Sequence, residues 1–414
     1  MMKYRTLLAA ALLVLTGTLV ANAQNGEMSP YSKYGYGLLT DNASSAQRAM
    51  GGVGYAMNNG RQINVMNPAS YAMCDSLTFL WDLGLGFTNL HSKEGDTKAK
   101  AFGGGLDYIT MQFPISKRVG GSFGLVPYSS VGYAFGSELS SGSELRQGDG
   151  GINQLYAGVA YRPFDFVSVG ANFSYWFGSC TNDAYVYTSG GSTTLFERMI
   201  DVRDWNVQLG LQLTKTFAKK HRATLGVTYT PQKSLHGNVL AIKYDATSDT
   251  KTDTISHSGL GGDFSTPHSI GVGLGYVFDD RLTAEVDVTW QNWAKAKFRD
   301  EANFDHNVFR NRTKIAAGLQ YVPKLRGNYL QRINYRVGGH YTDDYITVRG
   351  NNVREYGVSV GFGLPSNFSK TMVNLSFEYK SRKSAPVNFI KEDYFNITIG
   401  VNFNEMWFWK NKIR

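Results

Sequence analysis

From residue 78 onward the chain alternates between apolar and polar or small residues with a period of two, the signature of a strand with two unlike faces. In DWNVQLGLQLTKTF, Trp205, Val207, Leu209, Leu211 and Leu213 share one face, while Asn206, Gln208, Gly210, Gln212 and Thr214 share the other. The rhythm returns with Leu282, Ala284, Val286, Val288 and Trp290 against Thr283, Glu285, Asp287, Thr289 and Gln291. It returns again with Phe395, Ile397, Ile399, Val401 and Phe403 against Asn396, Thr398, Gly400 and Asn402. The pattern predicts strands near 78–89, 104–115, 121–133, 151–162, 167–178, 204–217, 223–240, 267–278, 281–293, 312–322, 331–342, 353–364, 371–381 and 393–403. Pro231 interrupts the segment 223–240, which is kept as one bulged strand because splitting it breaks an even count.

Most of these fourteen segments run about ten to thirteen residues, close to what a tilted strand needs to cross a bilayer. Soluble strands average roughly five or six. Short connections such as RPFDF, AKKHR and FDDR alternate with longer polar ones around 90–103, 134–150, 179–203, 241–266, 294–311, 343–352 and 382–392. Short turns on one side and long loops on the other are the plan of an outer-membrane barrel, and they put both termini in the periplasm. In hydrocarbon an open sheet would leave two unpaired edges, so the sheet must close. The expected fold is a 14-stranded antiparallel transmembrane β-barrel. Eight strands are about the number whose side chains fill the interior, so fourteen leave a lumen that something else must occupy.

Composition supports this reading. There are 46 Gly, 25 Tyr, 24 Phe and 7 Trp against 10 Pro. After residue 23 no apolar run is long enough for a spanning helix. Before it, Lys3 and Arg5 precede an apolar stretch from Leu7 to Val20 that ends in Ala21-Asn22-Ala23, which reads as a secretory signal peptide cleaved ahead of Gln24. The expected organisation is therefore 1–23 signal peptide, 24–77 hatch or plug, and 78–414 barrel, located in the bacterial outer membrane. The formal charge of +9 is spread along the chain and gives no support to nucleic-acid binding. Cys74 and Cys180 are too few for a disulfide framework.

The segment ahead of the first strand contains Arg48-Ala49-Met50-Gly51-Gly52-Val53-Gly54 and then Asn67-Pro68-Ala69. Glycines let backbone lie against a barrel wall, Pro68 disfavours helix at Asn67, and the Asn67 amide can satisfy loose backbone groups. This order resembles the amino-terminal hatch of the FadL family of outer-membrane proteins (the OMPP1/FadL/TodX type), channels for long-chain fatty acids and other hydrophobic compounds. TPHSIGVGLGYVFDDRLTAEVDVTWQNWAK and YRVGGHYTDD are similar to later strands of that family. The resemblance implies a hatch built on Arg48, Gly51, Gly52, Gly54, Asn67, Pro68 and Ala69. It implies passive uptake of hydrophobic small molecules and lateral escape into outer-membrane lipids at a strand kink. Pro127, inside the third strand, is the candidate gate, because proline removes a ladder hydrogen bond. The same family resemblance also covers barrels that act as partners in protein secretion or outer-membrane assembly, and the long loops at 179–203 and 241–266 would suit docking.

Little points to catalysis, and no enzyme activity, cofactor or metal is expected. GVSVG, Gly357 to Gly361, matches a nucleophile pattern but lacks the strand, turn and helix that pattern requires. The seven histidines show no ligand spacing. Asn334, Arg336 and His340 share an inward face and form a candidate polar path. Glu285 and Asp287 are expected to pair with inward Arg or Lys on neighbouring strands. The basic turns at Lys117-Arg118, Lys219-Lys220-His221-Arg222, Lys324 and Arg326 fall at the periplasmic rim, within reach of phospholipid head groups. Trp290, Trp293, Trp407 and Trp409 are assigned to interfacial girdles.

Overall fold

The computed structural model describes residues 29–140, 142–191, 193–245, 250–300, 306–367 and 369–406. The expected signal peptide and the tryptophans at 407 and 409 lie outside the described residues.

Among the described residues fourteen antiparallel strands close into one barrel. They are β1 (Thr78–Glu94), β2 (Thr97–Pro114), β3 (Val119–Leu139), β4 (Gly142–Phe164), β5 (Val167–Thr188), β6 (Thr193–Phe217) and β7 (His221–Thr230), followed by β8 (Ser269–Phe278), β9 (Leu282–Gln291), β10 (Arg312–Tyr321), β11 (Asn334–Val348), β12 (Asn351–Pro365), β13 (Met372–Ala385) and β14 (Lys391–Met406). Each pairs with the next, and β14 closes on β1 through a register that runs from Lys391–Lys93 to Met406–Thr78.

The alternation sorts side chains as a membrane barrel requires. On β8, Ile270, Val272, Leu274, Tyr276 and Phe278 are exposed outward, where they meet lipid. On β12 the inward row Gly357, Ser359, Gly361 and Gly363 is buried, which places the GVSVG stretch in mid-strand rather than at a turn. Asp279 and Asp280 both have positive φ, 54° and 53°, between β8 and β9. Two successive positive φ values are what a two-residue hairpin turn needs to match strand twist, and aspartate tolerates them.

Two expectations about connections are corrected. The segments around 90–103, 134–150 and 179–203 are not loops: β1–β2, β3–β4 and β5–β6 stay laddered out to Glu94–Thr97, Leu139–Gly142 and Tyr187–Thr193 (the last between β5 and β6). These stretches run past the segments that alternation marks, yet each strand still has a neighbour to bond, so the ladder continues. The segment 223–240 is not one bulged strand. The barrel strand stops at Thr230 ahead of Pro231, and Gly237–Asp245 forms a hairpin with Thr250–Gly259 that extends β6. Proline cannot donate to a ladder, so the chain leaves the wall there. The count of fourteen is unaffected, since the hairpin lies beyond the closed wall.

Candidate functional site

Residues 29–77 contain little regular structure: a one-turn helix at Ser45–Arg48, 3-10 turns at Pro30–Lys33 and Pro68–Met73, and the two-residue strand Leu38–Leu39. A segment with so few internal ladders must find partners for its backbone elsewhere. It finds them on the inward rows of the barrel.

The glycine run is held by the acidic pair of β9. Asp287 Oδ2 accepts from Gly54 N at 2.7 Å and Tyr55 N at 3.0 Å, and Glu285 Oε1 accepts from Ala56 N at 2.8 Å. The expectation that these carboxylates pair with Arg or Lys is therefore corrected, because the nearest donors in the lumen are the backbone amides of the glycine run. Gly51 N donates to Ser359 Oγ at 2.9 Å. Gly51 itself has φ +76°, and a Cβ there would lie 2.6 Å from Gly339 N. Reciprocally, a Cβ on Gly338 would lie 2.1 Å from Met50 C and one on Gly318 2.3 Å from Met50 O. Glycine on both sides is what lets two backbones approach this closely. Gly52 is buried and faces Lys314, whose Nζ would lie 3.0 Å from a Cβ at that position.

Asn67 caps the turn that Pro68 begins. Its Oδ1 accepts from Ala69 N at 3.1 Å, while its Nδ2 donates to Tyr55 O at 2.7 Å and Leu211 O at 3.2 Å. Pro68 packs on Gly170 and Gly210, where a Cβ would lie within 2.8 Å of it. Sequence reasoning missed Asn64, whose Nδ2 donates to Gly54 O at 2.6 Å and Met57 O at 2.8 Å while its Oδ1 accepts from Gln47 Nε2 at 2.8 Å. A second asparagine between the glycine run and Asn67 is a weak signal, since asparagine is common in any irregular segment. Cys74, at the end of this segment, has its thiol pushed up to about 11 by burial, with a hydrogen bond from Gln112 opposing the shift. It and Cys180 are both unbridged.

The middle of the lumen is charged. Arg48 meets Asp107 at 2.8 Å. Asp41 lies between Lys314 and Arg312; burial would raise its carboxyl, but these two cations hold it well below the usual carboxylate range. His340 contacts Glu355 at 3.2 Å and Glu378 at 3.7 Å, and Arg382 also binds Glu355. Arg336 instead donates to Gln320 at 2.8 Å and to Asn374 at 2.7 Å, and Asn334 reaches Met372 Sδ at 3.6 Å. Of the candidate polar path, only His340 thus lines the cavity beside Asp41, a space of about 100 Å³ shared with Arg48, Arg312, Lys314, Glu355, Glu378 and Arg382.

Above this layer, towards the long hairpins, the interior is apolar and filled. Tyr36, Trp293, Tyr345 and Phe264 are buried together, with Phe298 and Phe309 packed on them. Trp293 and Tyr345 lie 4.4 Å apart between ring centres, and Tyr345 Oη donates to Gly37 O at 2.5 Å. Trp293 is fully buried, so its assignment to an interfacial girdle is corrected; the wall strand ends at Gln291 and the next turn folds Trp293 inward. Trp290, still on the strand, is exposed outward.

Among the described residues the wall is open between β2 and β3. The β2–β3 ladder ends at Ile109–Leu125, although both strands run on. Pro127 lies just past this point, at a bulge against β4 between Pro127 and Ser129. Beside the gap is a cavity of about 450 Å³ lined by Gly104, Gly105 and Asp107 of β2 and by Pro127, Ser129 and Ser130 of β3. The exposed apolar wall, the closed ladder and the polar interior together make this an integral outer-membrane β-barrel.

A family model named BamG matches residues 1–414. Solved structures share the fold. A FadL homologue of Pseudomonas aeruginosa has a TM-score of 0.64 at 12% identity, covering 89% of this chain and 99% of its own. The toluene transporter TodX of P. putida has a TM-score of 0.61 at 15% identity, covering 89% and 100%. The monoaromatic hydrocarbon channel CymD has a TM-score of 0.58 at 16% identity, covering 88% and 97%. At these identities the likeness is one of fold. No curated protein matches the chain.

Proposed function

Since the chain belongs to the BamG family and has the fold of FadL-type channels, we propose that it is a closed barrel acting as a partner in an outer-membrane protein assembly or secretion complex. In this reading residues 24–77 are a plug that keeps the lumen shut, seated through Arg48, Gly51, Gly52, Gly54, Asn67, Pro68 and Ala69.

The observation that carries it is how the lumen is filled. A site for hydrophobic solutes is a mostly apolar cavity. Here Trp293 and Tyr345 pack with their neighbours, one space below them is walled by Asp41, Arg312, Lys314, Glu355 and Arg382, and another, about 130 Å³, mixes Val126, Tyr128 and Trp176 with Gln154, Asn172 and Gln208, so neither is mostly apolar. Such a lumen suits rigidity better than passage. The outer hairpins β3–β4 and β5–β6, laddered to their tips, offer stiff surfaces for docking. The test is extraction of the tagged full chain in mild detergent. Other proteins should co-migrate with it at fixed stoichiometry in a single species. Recovery of the barrel alone, carrying bound acyl chains, would overturn the reading.

A second reading is favoured by the gap between β2 and β3: passive uptake of hydrophobic compounds such as long-chain fatty acids, released sideways when the plug shifts. The solved relatives named for toluene and monoaromatic hydrocarbons support it, as does the 450 Å³ cavity at Pro127. If it holds, Pro127→Ala restores a ladder donor, narrows the gap and lowers oleate uptake into proteoliposomes several-fold. Unchanged uptake would count against a gate at that position.

A further inference from the structure

The gap in the wall has two lips, and they are not treated alike. The β3 lip is capped by the chain itself: Leu38–Leu39 pair antiparallel with Ser130–Ser129, Thr40 N donates to Tyr128 O at 2.9 Å, and Ser29 N donates to Gly132 O at 2.6 Å. The β2 lip is not capped. From Thr97 to Tyr108 this strand pairs with β1 on one side, and no described strand pairs with the other. Phe102 and Leu106 on this lip are 72% and 49% exposed, so its outer face meets hydrocarbon. Unpaired backbone groups are costly there.

We propose that the open edge of β2 takes up an extended strand from a partner protein, completing the wall by strand addition. This deepens the partner reading and rests on it. Three observations fix the chemistry of the occupant. First, an edge of N–H and C=O groups is satisfied by another backbone, which an acyl chain cannot supply. The Leu38–Leu39 pairing shows the same gap already accepting a strand on its other lip. Second, the β2 side of the cavity is lined by Gly104 and Gly105, which carry no side chain to hold an incoming backbone away from the edge. Third, Ser129, only 3% exposed, also lines this cavity, and its Oγ has no hydrogen-bond partner. The occupant therefore shows apolar side chains to lipid and small or polar ones to the cavity. That alternation is the pattern of a strand from another outer-membrane β-protein.

The test uses the purified full chain in detergent micelles and a fluorescent decapeptide of alternating Val and Ser. Successive N–H groups of a strand point to opposite edges, so Gly104→Pro and Gly105→Pro are made separately; one of them removes a donor from the open edge and leaves the β1 ladder intact. The peptide should bind saturably, and at least one variant that still migrates as a folded barrel should bind it tenfold or more weakly. A photo-crosslinker at Leu106 should capture the peptide, whereas one at Leu319, on a continuously laddered part of the wall, should not. Equal capture at both positions, or displacement of the peptide by oleate, would overturn the proposal, the latter in favour of an acyl site. In cells, a complex recovered intact from both proline variants would overturn the strand site while leaving the partner reading in place. Failure to recover any complex from the unaltered chain would overturn that reading itself.

Discussion

Deleting residues 30–72 should turn an electrically silent barrel into an open pore. Fourteen strands enclose more space than their own side chains fill, and in the proposed reading this segment fills it; Ala49, Met50, Val53, Asn64, Asn67, Ala69 and Tyr71 are all buried. The wall it would uncover is polar, with Lys314, Arg336, Glu285, Asp287 and Glu355 facing inward, so water and ions would enter rather than the barrel collapsing. Lys314 would lose Asp41 as its partner, but a charge that becomes hydrated as its partner leaves costs little. The wall ladders do not depend on the segment except at Ser129–Ser130. The measurement is single-channel recording in planar bilayers. Discrete steps of open-porin size are expected from the deletion and none from the full chain. Identical traces would show that the leading segment does not act as a plug.

The acidic pair of β9 should be the most sensitive point for holding that segment in place. Replacing both Asp287 and Glu285 by Ala removes the acceptors of Gly54, Tyr55 and Ala56 N–H, all of them buried. A buried donor left unmade costs about 1–3 kcal/mol, so several kcal/mol of local docking energy are lost while the barrel ladders stay intact. Brief trypsin treatment should then cleave at Arg48, which is otherwise shielded against Asp107, and the barrel should keep its heat-modifiable migration. Asp287→Asn retains an acceptor oxygen and should cleave slowly. Equal resistance of the double variant and the unaltered chain would mean that the glycine run is held by packing alone, through Gly318 and Gly338.

These two predictions depend on different kinds of information. That the lumen needs a filling follows from the strand count, which period-two alternation makes legible. Which groups hold the filling does not follow. Glu285 and Asp287 are inward by parity, and a carboxylate pair on a strand ordinarily suggests cations on its neighbours. What decides otherwise is the path of the leading segment, which places three amide donors against them before any lysine reaches. Lys314 is on the adjacent strand, but it is engaged by Asp41.

The local geometry of Gly51, Asn67 and Pro68 is legible for a related reason. Gly51, Asn67 and Pro68 each carry a backbone constraint of their own, such as a positive φ or a turn start, and such constraints show in one residue's identity. Asn64, Gln47 and Asp107 carry none. Their roles come from neighbours 17 or 59 residues away along the chain, and nothing local marks them.

Taken alone, the sequence determined the architecture: alternation sets which side chains face lipid, strand length sets that they cross it, and the absence of tolerable edges in hydrocarbon closes the sheet. Trp293 shows where that reasoning ends, since a tryptophan one turn past the last strand residue points to lipid or to the core depending on how the next turn bends. Only the tertiary structure decided that, and with it the packed outer end of the lumen, the capped lip of β3 and the open edge of β2. Pairing between strands is a property of two segments at once, so where a ladder stops is not written in either strand.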